Sequence, residues 1–473
     1  MIEFGWAVVG VFNVLILIYF FSLNSVYLIT TAISSRFLVR YVKRLRTVDV
    51  EQLIASGATP PITLIAPAYN EEASCVDSTR SLLTLQYPNY EVLVVNDGSP
   101  DRTLQLMLDA FDMIPAVRLP SATLETAKIR QVYRSKQYPN LWLLDKENGG
   151  KADAINAGLD YCRTPLFCVI DADSLLERDA LIRVSRPFLE DARTVAVGGI
   201  IRIVNGSTVR HGVVERVRLP RNLLARFQVL EYLRAFLSGR VAWSELNAGL
   251  IISGAFGLFR RSVVVDAGGY ATETVGEDME IVVRIHRHCR ENRIPYRIGF
   301  VPDPVAWTEC PETIRGMSRQ RDRWQRGLIE TLMRHRRMLL NPRYGNVGLI
   351  AYPYFFFLEM LGPVIEVGGY FAFAMTLLAG RASLPYVVAF LALALLFGMA
   401  LSAAAVALEE LSFRGYPRNS DLARLIWLAV AENVGYRQMN SFWRMQGVIS
   451  AARRVKYWGQ APRRGFRTGQ ASG

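Results

Sequence analysis

Leu166-Phe167-Cys168-Val169-Ile170-Asp171-Ala172-Asp173 is the stretch on which the fold turns. Five apolar residues run unbroken from Pro165 and stop at two carboxylates. A short apolar run bounded in this way reads as a strand buried on both faces. Three earlier runs have the same character: Ile62 to Ala66, Val92 to Val95 and Leu141 to Leu144, each bounded by Pro, Asn, Asp or Gly. The stretches that begin at Glu72, Arg102 and Lys151 have helical patterning and lie between those runs. Strand and helix in alternation predict a parallel α/β sheet of the nucleotide-binding kind. In such sheets ligands sit beyond the carboxyl ends of the strands.

Those ends carry the polar chemistry. The first run leads into Ala68-Tyr69-Asn70-Glu71-Glu72 and the second into Asn96-Asp97-Gly98-Ser99. An exposed tyrosine can stack on a flat base, and a carboxylate can accept a hydrogen bond from a ring N–H. Asn-Asp-Gly-Ser also reads simply as a turn with Asp97 as a cap, and that alternative stands at this point. Asp171 and Asp173 supply hard oxygen ligands of the kind Mg²⁺ or Mn²⁺ takes beside a diphosphate. Lys146-Glu147-Asn148-Gly149-Gly150-Lys151 opens a helix, where glycines allow close backbone approach and the positive helix end favours phosphate. Farther on come Gly276-Glu277-Asp278 and Gln320-Arg321-Asp322-Arg323-Trp324. In the latter, Gln320, Arg323 and Trp324 share one helix face, so an amide, a guanidinium and an indole are presented together. Arginine suits a diphosphate and tryptophan the apolar face of a sugar.

Apolar segments flank this region. Phe4 to Ser35 lacks any charge and is longer than the roughly 20 residues a bilayer needs. Ala382 to Leu408 is a second uncharged span, and Val347 to Gly380 reads as a broken or interfacial helix followed by a span, because Pro353, Glu359, Pro363 and Glu366 interrupt it. Glu432, Arg437 and Arg444 make the last apolar stretch a poor lipid-facing helix. Ionisable groups at bilayer depth are costly, so these five are expected to face a protein interior or a wet pathway. The chain carries 55 Lys and Arg against 42 Asp and Glu, a formal net charge of +13. The surplus lies at Arg36, Arg40, Lys43, Arg44 and Arg46, behind the first apolar run, and between Arg453 and Arg467. That is the placement of membrane flanks, with the chain after Arg36 cytosolic, and no nucleic-acid partner is expected. The five cysteines, odd in number and without CxxC spacing, indicate neither a zinc site nor a disulfide framework. His286, His288 and Cys289 do not share a helix face and do not read as a metal site.

Taken in order, Asp97, Asp171 with Asp173, Gly-Glu-Asp278 and Gln-x-x-Arg323-Trp324 resemble the signature of processive family 2 glycosyltransferases, which include cellulose, hyaluronan, chitin and poly-N-acetylglucosamine synthases. The resemblance runs from about Ile62 to Gly327. Ser253-Gly254-Ala255-Phe256-Gly257-Leu258-Phe259-Arg260-Arg261, together with Tyr457-Trp458-Gly459 and Arg463-Arg464-Gly465-Phe466, is most similar to the poly-N-acetylglucosamine synthase-like branch.

The resemblance implies an α/β fold, a GT-A type Rossmann-like nucleotide-sugar-binding domain inserted between transmembrane helices. It implies an inverting hexosyltransferase, multi-pass in the cell inner (plasma) membrane, that moves sugar from a UDP-sugar onto a growing β-linked polysaccharide coupled to its translocation. Tyr69, Glu71, Asp97, Lys151, Asp171, Asp173 and Arg323 would bind the nucleotide-sugar, with Asp171 and Asp173 holding Mg²⁺ or Mn²⁺. Ser253, Gly254, Gln320 and Trp324 would meet the acceptor. Asp278 would be the base, with Glu277 as the alternative. The partners would be a UDP-sugar, a glycan acceptor, the lipid bilayer and accessory export subunits. A competing reading keeps the chemistry and transfers one sugar to a membrane lipid. The expected organisation is a transmembrane helix over 1–36, a cytosolic linker over 37–61, the transferase domain over 62–346, a membrane region over 347–450 and a basic cytosolic tail over 451–473.

Overall fold

The computed structural model of the chain describes residues 2–45, 57, 59–171, 174–210, 212–413, 415–416 and 418–455. Asp173, residues 46–56 and 58 of the expected linker, and all of the basic tail beyond Val455 therefore lie outside the described residues. The chain divides into two compact units. One gathers the described residues of Lys43–Pro220 and Asn247–Cys310, the other those of Met1–Val42, Arg221–Leu246 and Pro311–Gly459.

The first unit is built on strands β1 (Ile62–Ala68), β2 (Tyr90–Asp97), β3 (Met113–Pro115), β4 (Ile129–Ser135), β5 (Leu141–Lys146), β6 (Leu166–Ile170), β7 (Ser174–Leu176), β8 (Thr194–Ile203), β9 (Thr208–Arg210), β10 (Val213–Arg216), β11 (Phe256–Arg260) and β12 (Arg297–Thr308). Ten of them form one sheet in the order β3-β4-β5-β2-β1-β6-β11-β8-β12-β7. Its centre is parallel, as the alternating pattern predicts: β5, β2, β1 and β6 all run the same way. The sheet as a whole is mixed, because β11 runs antiparallel to both β6 and β8. A parallel neighbour needs a crossover connection. β11 instead enters after the chain has left this unit at Pro220 and returned at Asn247, so nothing forces it parallel.

The apolar runs are wholly inside: Leu64, Leu93, Leu143 and Cys168 are all solvent-inaccessible. Each such Leu contributes about 1.5–3 kcal/mol by leaving water. The helix Lys151–Tyr161 packs on this sheet through Ala154, Ile155 and Leu159. It approaches so closely at Gly158 that a Cβ there would stand 2.5 Å from Ile65 Cγ2. This packing fixes the start of the helix, where Lys151 sits, against the carboxyl ends of the central strands.

The second unit is helical. Ile2–Leu45 is one continuous helix, which carries on past Arg36 into the stretch expected as a linker. Among the described residues two helices are long and apolar enough to cross a membrane, Gly5–Arg44 and Leu384–Ser412, and a third candidate is the pair Val347–Met360 and Gly362–Leu378, bent by 42°. Pro363 falls in the first turn of the second member of that pair, where its missing N–H costs no hydrogen bond. The ionisable residues of these segments are paired within the unit. Glu359 accepts from Tyr354 (2.6 Å) and Tyr27 (3.2 Å) and is bridged by Arg444 at 3.0 Å. Glu366 accepts from Tyr19 at 3.0 Å and from Ser441. Glu432, solvent-inaccessible, takes Arg234, Arg437 and Ser402. Each carboxylate thus ties helices that are distant in sequence, the arrangement that makes buried charge tolerable in an apolar surround.

Candidate active site

Three strand ends and two helix starts supply the candidate site of the first unit. After β1, Tyr69 is 43% exposed and free to offer its ring. Asn70 adopts φ +56°, a conformation that asparagine tolerates. The turn is held by Asn70 N–H on Ser99 Oγ and by Glu71 N–H on Thr103 Oγ1 at 2.8 Å. The Glu71 carboxylate is buried and accepts from Ser74 Oγ at 2.8 Å, so it braces the turn ahead of the helix Cys75–Leu83.

Asp97, at the end of β2, is 2% exposed. Its Oδ1 accepts from Lys146 Nζ (2.6 Å) and Gly149 N–H (3.0 Å), and its Oδ2 from Gly150 N–H (2.8 Å) and Asn148 Nδ2 (3.3 Å). A carboxylate offers about four acceptor positions. In this structure all are engaged in shaping the loop before the helix Lys151–Tyr161, and a contact from Asp97 to a base would replace one of these bonds. Gly98 is obligatory in the same turn, with φ +67° and a Cβ position only 2.7 Å from Asn148 N. Lys146 itself is solvent-inaccessible and lies 2.5 Å from Asp153 as well, while Asp153 also accepts from Ala127 N–H at 3.0 Å. Sequence patterning gave Lys146 no role of its own and missed this network; the available signal was Asp153, an acid set among alanines and an isoleucine on a buried helix.

Lys151 organises the second cluster. Its ammonium lies 2.6 Å from Asp171 Oδ1, just after β6, and 3.1 Å from Glu277 Oε1 at the start of the helix Glu277–Glu291. Burial by itself would push this ammonium down; Asp171, Glu277 and Asp278 more than offset that and hold it above the ordinary lysine range. Glu277 is 4% exposed and committed to Lys151, whereas Asp278 is half-buried and keeps an open side. Asp278 Oδ2 accepts from Gly254 N–H at 3.1 Å and Oδ1 from Met279 N–H at 2.8 Å. A Cβ at position 254 would stand 3.1 Å from Lys151 Nζ and 3.3 Å from Asp278 Oδ2, so a side chain there would press on both groups. Ser253 Oγ accepts from Ala255 N–H. The structure therefore brings Lys151, Asp171, Gly254, Glu277 and Asp278 together, with Asp97 in its own network.

Gln320, Arg323 and Trp324 belong to the helical unit, on the helix Ile314–Arg334. Trp324 is 42% exposed, and Gln320 Oε1 is buried without a hydrogen-bond partner among the described residues. His286 is solvent-inaccessible between Tyr296 OH (2.8 Å) and Gly249 O (2.9 Å), and burial pushes its imidazole down to about 4. It is a core residue.

The family model described as "Glycosyltransferase like family 2" matches residues 60–327. Poly-beta-1,6-N-acetyl-D-glucosamine synthase of Staphylococcus aureus is 30% identical over 276 residues, 58% of this chain and 56% of the relative. The same-named protein of Staphylococcus epidermidis is 29% identical over the same extent. The chain spans about half the length of these curated relatives. Among solved structures, a mannosyltransferase from Pyrobaculum calidifontis in complex with GDP-Man and Mn2+ is similar in fold, with a TM-score of 0.52 at 21% identity, covering 89% of this chain and 99% of that one.

The buried ammonium between Asp97 and Asp153 leads to a direct expectation. Lys146→Met leaves two buried carboxylates without their cation and should lower unfolding stability by about 3–5 kcal/mol, measured by denaturant titration. Unchanged stability would mean that the two acids find other partners and that the network does not hold the loop.

Proposed function

Because the chain belongs to glycosyltransferase family 2, we propose that it transfers sugar from a UDP-sugar, with UDP-N-acetylglucosamine favoured by its relatives, onto a growing β-linked polysaccharide at a membrane. The observation that carries this reading is the cluster of Lys151, Asp171, Gly254, Glu277 and Asp278, gathered where a nucleotide-binding sheet places its ligand.

Tyr69 would stack on the base, with the Asp97 loop beneath it. Lys151 offers an ammonium to the diphosphate and Arg323 a guanidinium. Asp278 is favoured over Glu277 as the base, since Glu277 is held by Lys151 and Asp278 has an accessible side. In the reaction the acceptor hydroxyl oxygen forms a bond to the anomeric carbon and its proton passes to the Asp278 carboxylate. The bond from the anomeric carbon to the phosphate oxygen breaks on the opposite face, and UDP departs with inversion. Ser253, Gly254, Gln320 and Trp324 would receive the acceptor.

The donor set fits a hard divalent cation: Asp171 is a carboxylate with 30% of its side chain accessible, in a cluster whose acids outnumber its one lysine. Asp171 and Asp173 would hold Mg²⁺ or Mn²⁺. Among the described residues no group of three or more metal-binding side chains is assembled, so donor phosphates would complete the shell. Such an ion supplies neutralisation of the charge that develops on the leaving diphosphate. Export of the polymer past the apolar helices, assisted by accessory subunits, belongs to the same reading, as does a cytosolic face for the catalytic unit in an inner membrane.

Asp278→Asn should lower turnover by about 10²–10⁴-fold while UDP binding stays within a few-fold of wild type, because a base on the acceptor acts on the chemical step. Near-normal turnover would remove Asp278 from the mechanism. Chelation with EDTA should abolish UDP release, with Mg²⁺ or Mn²⁺ restoring it; activity that persists without metal would contradict the role given to Asp171 and Asp173.

A further inference from the structure

Arg321 lies inside the Gln320–Trp324 motif yet does not belong to the helix face that motif presents. It is 2% exposed, and its Nη2 lies 2.5 Å from Glu231 Oε2, on the helix Leu223–Leu233. The same oxygen accepts from Tyr436 OH at 3.0 Å, at the start of the helix Tyr436–Ala452. Tyr436 is in turn stacked on Phe227, with ring centroids 4.7 Å apart. The Arg321 guanidinium carbon lies 4.4 Å from the centroid of the Trp324 ring, which stands one helical turn farther along. One face of the indole is thus covered by a cation, and the residue still exposes 42% of its surface.

Each part constrains the next. A guanidinium this deep needs a carboxylate, and Glu231 supplies it from another helix. The carboxylate is held by the tyrosine hydroxyl, whose ring is fixed by stacking. The guanidinium plane then sets the tilt of the indole, because a cation over an aromatic face is attracted to it and excludes other rotamers. We propose that Glu231, Arg321 and Tyr436 are positioning residues that lock the Trp324 indole with one face covered and the other turned to the acceptor sugar, so that they govern acceptor binding without touching it. This rests on the reading of Trp324 as the acceptor platform.

The test uses the full chain in detergent, with UDP-N-acetylglucosamine as donor and a β-linked N-acetylglucosamine oligomer as acceptor. Arg321→Met should raise the acceptor KM by about 5- to 20-fold, the range expected for a desolvated cation–π contact, with the donor KM little changed. The double variant Arg321→Met with Trp324→Ala should be no worse than Trp324→Ala alone, since a residue acting through the indole has nothing left to act on. Glu231→Gln should shift the acceptor KM in the same direction and carries the test if Arg321→Met does not fold. Losses that multiply in the double variant, or a donor KM that rises with the acceptor KM, would show a general structural role and overturn the proposal. Should Trp324→Ala raise the acceptor KM while Arg321→Met and Glu231→Gln leave it unchanged, only the positioning role is lost. An acceptor KM unmoved by Trp324→Ala would overturn the platform reading and this proposal together.

Discussion

Carboxylates that converge on one place repel one another unless a cation stands among them, and in this protein the cation is the Lys151 ammonium. It lies within 3.1 Å of Asp171 and Glu277, which arrive from the end of β6 and the start of the helix Glu277–Glu291. The position of Lys151 depends on the helix Lys151–Tyr161 lying flat on the sheet, which in turn requires the bare backbone of Gly158 against Ile65. Gly254 packs against the same point, where a Cβ would crowd both Lys151 and Asp278. One ion-pair centre therefore links the packing of the sheet to the positions of Gly254, Glu277 and Asp278, the last of which is the proposed base.

A second lysine, this one fully buried, does comparable service in the same unit. Lys146 joins Asp97 to Asp153, and the loop between Lys146 and Gly150 is closed on the Asp97 carboxylate by backbone and side-chain donors. The two lysines bracket a glycine-rich turn of the kind that lets a diphosphate approach backbone N–H groups. Lys146 sets the shape of the turn; Lys151 presents charge beyond it.

Much of this was legible in the residues. The four apolar runs are strands, the three patterned stretches between them contain helices, and Asp97 and Asp171 stand at strand ends, where the unbroken apolar runs stop. What local pattern does not carry is pairing across long sequence separations. The antiparallel insertion of β11 follows from a chain excursion through the other unit, which no periodicity signals. The burial of Lys146 depends on Asp97 and Asp153, neither adjacent to it in sequence. Arg321 reads as one more arginine on a basic helix until Glu231 is found against it. Charges in the apolar segments were legible as costly, while their partners, such as Arg444 for Glu359 and Tyr19 for Glu366, became visible only in three dimensions.

The central claim is that this family 2 glycosyltransferase builds a polymer from a UDP-sugar. The direct measurement is to incubate the purified, lipid-reconstituted chain with UDP-N-acetylglucosamine and Mg²⁺, following UDP release and sizing the product by chromatography. The account predicts steady UDP release with long β-linked chains made from few initiations. A donor left intact, or a product carrying one sugar on a lipid, would contradict it.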